Sequence, residues 1–438
     1  MTIRIVSTPR SATVFKLVRR ALSHLNQFKE GPLNKLKVLF FGEGATLAHV
    51  VRPLMLAKEL DATEFDVTLC RPEAFSKLTA GSPFPVLELN CQDAKIFAKK
   101  LASGSPLYDF PTLCDYVDAD LCLIDAVKPD VIVGDFRLSL SVSARLRSVP
   151  YIAICDAYWS PERPLNPPLP VLEHTRHAPI PVAEFIFRHV APFAFRLHAW
   201  PLERLRKKFG LPSLSYDLRN CYTDADLRLF ANFPALFPDV TPNEHADFIG
   251  PIAWSPDFPG KLDFLSEHGP LTYVTMGSSG DPQVISKIIP ILEELGSRVM
   301  IATAGKTISL ASKRRTTQIF DYLPGSIVCQ HAGLVICNGG SPTTNQALTC
   351  GVPVLGIAQN MDQFLNMEAI VAFGAGKLIR ADRAESSHLK DAIESLIFDT
   401  TFRNRAQELA KSLRLEYSSV ALSRHILGQH QRNNASNG

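Results

Sequence analysis

Residues 321–366 read DYLPGSIVCQHAGLVICNGGSPTTNQALTCGVPVLGIAQNMDQFLN, and this stretch decides the fold. Leu334–Cys337 is a short apolar run closed by Asn338-Gly339-Gly340, the pattern of a buried strand running into a tight turn. Ser341 is placed to cap a helix and Pro342 to occupy its first position. The helix stops at Gly351, and Val352-Pro353-Val354-Leu355-Gly356-Ile357 follows as the next strand. Strand, glycines and helix N-terminus together suit an anion, because first-turn N–H groups have no intrahelical acceptor and the helix dipole adds positive charge. Glycine also lets the backbone approach such a group closely. An ordinary β–α turn that uses glycine only for its geometry has the same local sequence.

The same alternation continues outward. Lys37–Phe41 reads as a strand, Gly42-Glu43-Gly44 as the turn after it, residues 48–60 as a helix and Asp66–Leu69 as a strand. Residues 94–128 read as helical. Asp130–Val133 is a strand leading into Gly134-Asp135-Phe136. Asp135 there either lines a ligand crevice at a strand's carboxyl end or caps a helix over 138–147. Tyr151–Cys155 is the next strand, and residues 158–218 are rich in proline and aromatics. Residues 246–270 carry the Pro and Gly of an interdomain linker. Beyond them come the strand Leu271–Met276, the turn Gly277-Ser278-Ser279-Gly280, a helix over 283–296 and the strand Val299–Ala302. A helix ends at 369–374, residues 386–427 read as helical, and a polar tail expected to be disordered starts at Gln429. Two runs of alternating strands and helices predict two doubly wound, Rossmann-like α/β domains facing across a cleft.

Composition narrows the class. The chain has 438 residues, 46% of them hydrophobic, with a net charge of +3. That is the profile of a globular protein with large cores and two or three domains. No apolar run reaches the roughly 18 residues of a membrane span, and no secretory signal is apparent. The nine cysteines show no C-x-x-C pair or repeating interval, which favours free thiols in a reducing, cytoplasmic setting. Residues 1–37 carry a charge of +7, from eight Lys/Arg against Glu30; the rest therefore lacks the basic character of a nucleic-acid binder. Within residues 1–36, an extension, positions 14–28 read as a basic amphipathic helix. It suits either peripheral contact with an anionic membrane or packing on the protein's own body. The pairs Asp118/Asp120 and Asp224/Asp226 read as solvated carboxylates rather than a metal site.

The full pattern in 321–366 resembles the donor-site signature of GT-B nucleotide-sugar glycosyltransferases, in particular the bacterial UDP-glycosyltransferase-like (family 1 type) enzymes. The matching positions, in order and spacing, are Tyr322-Leu323-Pro324, Asn338-Gly339-Gly340, Thr343, Ala347, Gly351-Val352-Pro353 and Asp362-Gln363. Leu205–Pro212 resembles a helix end of that family, and the resemblance covers residues 37 to about 427. It implies an N-terminal acceptor domain (37–245), the linker (246–270), a C-terminal donor domain (271–412), and a last segment (413–438) that crosses back onto the first domain. It implies His49 as general base and Asp135 as its partner. Gly277, Ser278, Tyr322, Asn338, Gly339, Gly340, Ser341, Thr343, Gln346, Asp362 and Gln363 would bind the donor.

The implied reaction is inverting and metal-independent, with no cofactor beyond the nucleoside-diphosphate sugar (UDP or dTDP) as co-substrate. The acceptor would be a hydrophobic, hydroxyl-bearing small molecule or lipid, since the variable aromatic region shapes that pocket in the family. Three positions differ from the family pattern: Asn338 replaces His, Pro342 replaces Gly and Gln346 replaces Glu. They motivate an alternative, a catalytically degenerate GT-B protein that binds or scaffolds another transferase. An epimerase on the same fold is a further alternative, less well matched by Asp362-Gln363.

Overall fold

The computed structural model describes residues 35–437 except 165, 173, 174, 176–178, 257, 259, 261, 278, 309–315 and 414–418. The basic segment 14–28 and Ser278 therefore lie outside the described residues. The first unit contains β1 (Leu36–Gly42), α1 (Leu47–Glu59), β2 (Phe65–Arg71), β3 (Val86–Glu88), α2 (Ala94–Ser103), α3 (Phe110–Val127), β4 (Val131–Asp135), α4 (Leu140–Leu146), β5 (Tyr151–Cys155), α5 (Ile180–Lys208), α6 (Leu218–Thr223), β6 (Leu227–Phe230) and β7 (Ala246–Phe248). Its strands form one sheet in the order β3-β2-β1-β4-β5-β6-β7.

The second unit contains β8 (Leu271–Thr275), α7 (Ile285–Glu294), β9 (Arg298–Ala302), β10 (Thr317–Phe320), α8 (Gly325–His331), β11 (Leu334–Cys337), α9 (Ser341–Thr349), β12 (Val354–Ala358), α10 (Met361–Phe373), β13 (Gly376–Arg380), α11 (Ser386–Phe398) and α12 (Thr400–Lys411). Its sheet order is β10-β9-β8-β11-β12-β13. Every strand pair in both sheets is parallel. The central strands are apolar nearly throughout because helices cover both faces of each sheet; β4, β5, β8, β11 and β12 are buried along their whole length.

Each sheet reverses its strand order once, between β1 and β4 and between β8 and β11. There the adjoining crossovers diverge and leave a crevice beyond the strands' carboxyl ends, where ligands bind in open α/β sheets. At the first reversal Gly42 is paired with Asp135, and at the second Cys337 with Thr275. The crevices thus open beside the turns that the sequence marks as glycine-rich. A Cβ on Gly42 would sit 3.0 Å from Val50 Cα and 3.2 Å from the His49 carbonyl. Glycine there lets α1 pass tightly over the end of β1.

The last helix, α13 (Ser419–Asn437), returns to the first unit. Its Ala421, Leu422 and Ile426 are buried in one cluster with Leu54, Leu56 and Ala57 of α1 and Val131 and Val133 of β4.

The structure corrects several expectations. Ala246–Phe248 is not linker but β7, paired with β6. The polar stretch from Gln429 continues α13 to Asn437, and Gln429 is buried. Residues 94–128 and 386–427 each break into shorter helices, the first at Gly104, which ends α2 in the left-handed conformation. The helix after β11 is capped one residue earlier than expected. Gly340 is extended (φ −71°, ψ 144°) and its carbonyl accepts the Thr344 N–H, so Ser341 rather than Pro342 opens α9. Asp120 and Asp224 are not solvated. Asp120 is fully buried against Arg137, Ser139 and Ser143, and Asp224 bridges Arg145 and Arg206. Each carboxylate tolerates its position because an arginine was packed beside it.

Candidate active site between the two sheets

Asp135 is the last residue of β4 and is fully buried. His49, in the first turn of α1, places Nδ1 2.8 Å from Asp135 Oδ1. With Nδ1–H donating to the carboxylate, the neutral imidazole keeps its basic lone pair on Nε2. The ring is held from a second side by Phe136, stacked at a centroid distance of 4.7 Å and an interplanar angle of 13°. Phe136 reaches that position through a positive φ of 56°, a conformation that side chains rarely adopt and that recurs where surrounding structure enforces it.

Arg52, one turn after His49 on α1, is the residue that sequence reading passed over. Its Nε donates to Asp135 Oδ2 at 2.7 Å and its Nη2 to Oδ1 at 2.9 Å. Its Nη1 donates to Asp156 Oδ2 at 2.8 Å. Asp156 follows β5, and its other oxygen accepts from Asn232 Nδ2 at 3.2 Å, just beyond β6. The ends of three neighbouring strands therefore present an Asp, an Asp and an Asn; one guanidinium pins the two carboxylates and the Asn braces the second. Burial would raise the Asp135 carboxyl, but Arg52 and then His49 hold it below the ordinary carboxylate range. Arg52 is in turn held well above its usual value by the two carboxylates, against the opposing effect of burial. Its i, i+3 spacing from His49 was the available signal, since such residues share a helix face.

An aromatic wall adjoins His49. Phe136 packs against Tyr222 (5.1 Å between centroids) and Phe97 (6.2 Å), and Trp159 packs against Tyr222 (5.0 Å) and Phe195 (6.5 Å). Trp159 also spans the two units, its Nε1 donating to Asp362 Oδ1 at 2.7 Å. Burial raises the Asp362 carboxyl despite that bond; Asp156 pushes it the same way and His49 opposes. The Trp159 bond thus brings Asp362, from the second unit, to the aromatic wall that adjoins His49.

Of the expected donor residues, Gly277, Asn338, Gly339, Gly340, Ser341, Thr343 and Gln363 lie at the second crevice, around a serine the sequence reading left out. Ser279 Oγ accepts from Asn338 Nδ2 (3.0 Å) and from Gln363 Nε2 (3.1 Å), and its carbonyl accepts from Gln359 Nε2 (3.0 Å). These bonds latch the loop containing Gly277 to the turn before α9 and to the start of α10. Asn338 Oδ1 accepts the Gly340 N–H at 3.2 Å. Gln363 caps its own helix, its Oε1 accepting the N–H groups of Gln359 and Asn360 while the Asn360 side chain accepts the N–H of Gln363. Gln363 is almost wholly buried and acts here as a brace rather than an open hydrogen-bonding group.

Gly339 sits at φ +81°, where a Cβ would meet Met367 Cγ at 2.6 Å. Asn366 Nδ2 ties the Gly339 carbonyl (2.8 Å) to Thr344 Oγ1 (2.9 Å). In the first turn of α9, Ser341 and Thr343 carry N–H groups without intrahelical acceptors, and Pro342 carries none. Two expected residues stand apart from this latch. Gln346 donates through Nε2 to the Trp254 carbonyl and more weakly to Ser255 Oγ (3.4 Å). Tyr322 is 58% exposed, its hydroxyl 3.5 Å from the Ala304 carbonyl.

Among known proteins, the family described as "Erythromycin biosynthesis protein CIII-like, C-terminal domain" matches residues 287–418. A PGL/p-HBAD biosynthesis glycosyltransferase of Mycobacterium tuberculosis (strain ATCC 25177 / H37Ra) is 40% identical over 389 residues, 88% of this chain and 91% of the relative. A PGL/p-HBAD biosynthesis rhamnosyltransferase of Mycobacterium bovis (strain BCG / Pasteur 1173P2) is 39% identical over 376 residues, 85% of this chain and 83% of the relative. Of solved structures, the glycotransferase of kitacinnamycin superposes with a TM-score of 0.67 at 19% identity, covering 90% of this chain and 99% of the other.

Proposed function

We propose, for a chain that belongs to the GT-B glycosyltransferases of the family 1 type, inverting transfer of a sugar from a nucleoside-diphosphate donor to a hydroxyl of a hydrophobic acceptor. The observation that carries this reading is the Asp135–His49 bond at 2.8 Å, which leaves Nε2 as a base beside the aromatic wall. In the proposed step the acceptor O–H gives its proton to His49 Nε2. The oxygen attacks the anomeric carbon as the bond from that carbon to the diphosphate oxygen breaks, inverting the centre. Asp135 fixes the tautomer and stabilises the imidazolium, the part an Asp plays in a Ser-His-Asp triad. The charge arriving on the diphosphate is taken up by backbone N–H groups around Gly339–Thr344, so the step as drawn calls for no metal ion.

Asp362, at the aromatic wall that adjoins His49, holds donor-sugar hydroxyls in this reading, while Gln363 and Asn338 set the loop at 277–280. Tyr322 and Gln346 lie toward the nucleoside end. The donor is a UDP- or dTDP-sugar. The acceptor is a lipid or other apolar hydroxyl compound, supported by the rings of Phe97, Phe136, Trp159, Phe195 and Tyr222 and by the PGL/p-HBAD naming of the relatives.

The test is product formation from UDP- and dTDP-sugars with apolar alcohols and phenols. His49→Ala should lower turnover by about 10²–10⁴-fold while calorimetric binding of UDP or dTDP stays as in the parent. Unchanged turnover would remove His49 from the base role. Absence of binding to UDP, dTDP and GDP alike would favour the scaffold reading that Asn338, Pro342 and Gln346 motivate.

A further inference from the structure

Helix α5 has a buried side and an apolar outer side. Ala191, Phe195 and Ala199 face inward, and Phe195 meets Trp159 in the aromatic wall. Outward stand Val182 (56% exposed), Phe185 (66%), Ile186 (55%), Val190 (50%), Phe193 (65%), Leu197 (50%) and Trp200 (48%). At 100° per residue these side chains fall within an arc of roughly 140°, and the stripe runs for about 27 Å. A contiguous apolar stripe of this size is a docking surface. Arg188, Arg196, Arg204, Lys207 and Lys208 are exposed on the same helix. Its acids are Glu184, which is half-buried, and Glu203, which is buried and accepts the N–H groups of Leu214 and Tyr216.

We propose that this outer face of α5 docks on an anionic lipid bilayer. Phe, Trp and branched aliphatic residues on one side with Arg and Lys beside them are the make-up of a helix that lies in the headgroup region. Charge selects the bilayer over the other occupants of such a stripe. A second copy of the chain would bring the same cations face to face. The chain's own residues 1–37, with a charge of +7, would bring like charge as well. An anionic surface attracts both segments. The helix does not span, since no helix among the described residues is long and apolar enough to cross a membrane. Because the opposite face of α5 helps to build the aromatic wall, docking would set the acceptor pocket about one helix diameter, roughly 10 Å, from the acyl boundary. This placement of the pocket rests on the transferase reading; the docking itself does not.

The experiment is flotation of the full chain with vesicles of phosphatidylcholine and phosphatidylglycerol in equal parts, and with phosphatidylcholine alone. The chain should float with the mixed vesicles and much less with the neutral ones. The double change Phe185→Ser/Phe193→Ser, at exposed positions, should lower the partition coefficient at least about tenfold and leave melting temperature and nucleotide binding as in the parent. Lipids brominated along the acyl chain should quench tryptophan emission in the parent, and Trp200→Phe should remove that quenching. Failure of the parent to float, flotation unaltered by the double change, or quenching that survives Trp200→Phe would each overturn the proposal. Flotation carried by residues 14–28 with Trp200 unquenched would overturn it too. Loss of glycosyl transfer with docking intact would count against the transferase reading alone.

Discussion

Replacing Gly340 with Asp asks whether the first turn of α9 holds the donor diphosphate. The backbone there is extended, at φ −71° and ψ 144°, which any residue adopts. A Cβ at this position meets its nearest neighbour, Asn338 Oδ1, at 3.4 Å, an ordinary contact. Asp is also a better N-cap than Gly, by a few tenths of a kcal/mol. The variant should therefore fold with an unchanged or slightly raised melting temperature. A diphosphate seated on the N–H groups of Ser341 and Thr343 would lie about 6 Å from the new carboxylate. At an effective dielectric of about 20 that repulsion is about 2.8 kcal/mol for each unit charge. Gly340 is half-exposed, and screening by water and salt brings the net cost to about 2 kcal/mol. Calorimetric titration with UDP and dTDP should show affinity reduced roughly thirtyfold, with a smaller deficit at low pH as the carboxylate is neutralised. Affinity within about threefold of the parent, in a protein that melts normally, would refute the placement of the phosphates.

The remaining predictions concern the two crevices. Arg52→Met leaves Asp135 and Asp156 buried without their cation and should destabilise the fold by about 3–5 kcal/mol, read by thermal or urea unfolding; stability within error of the parent would show that the pairing contributes little. Asp135 sits below the ordinary carboxylate range, so its contribution is present above the unfolded pKa of about 3.9 and is lost as pH falls below it. Asp135→Asn should flatten the acid limb of a stability–pH curve, and an unchanged limb would assign acid unfolding to other groups. Asp362 is shifted the opposite way by burial. Its ionised form therefore costs stability at neutral pH, and Asp362→Asn should raise the melting temperature at pH 7 while lowering turnover; a fall in both would mean that the Trp159 bond outweighs the burial. Ser279→Ala removes the oxygen shared by Asn338 and Gln363 and should loosen nucleotide binding by about 1–2 kcal/mol, measured by the same titration.

Much of this architecture was legible because its signals are local. Apolar runs closed by glycine turns locate β1, β8 and β11, and their alternation with helical stretches predicts two doubly wound sheets. His49 and Asp135 could be named because both fall on positions of the family pattern, one just after β1's glycine turn and the other at the end of β4. Arg52 could not be given its role in the same way: what defines it is the company of Asp135 and Asp156, 83 and 104 residues away. Ser279 was one of two adjacent serines, and only the converging Asn338 and Gln363 amides single it out. Asp120 shows the reverse error. A carboxylate in a helix reads as solvated, and nothing local announces that Arg137 will meet it in the core. The polar composition from Gln429 onward likewise suggested disorder, while three apolar residues ahead of it, Ala421, Leu422 and Ile426, give α13 its seat.

That seat has a mechanical consequence. The polypeptide passes between the two sheets once after β7 and again before α13, so the units are joined by two pins rather than one. A single tether would permit swivel and twist in any direction; two confine opening to rotation about the line joining them, as a door moves on its hinges. The second pin is fastened to the back of α1 and β4, the elements that present His49, Arg52 and Asp135. Any rotation of one unit against the other would therefore bear on the helix that carries His49 and Arg52, and would have to break the bond between Trp159 and Asp362.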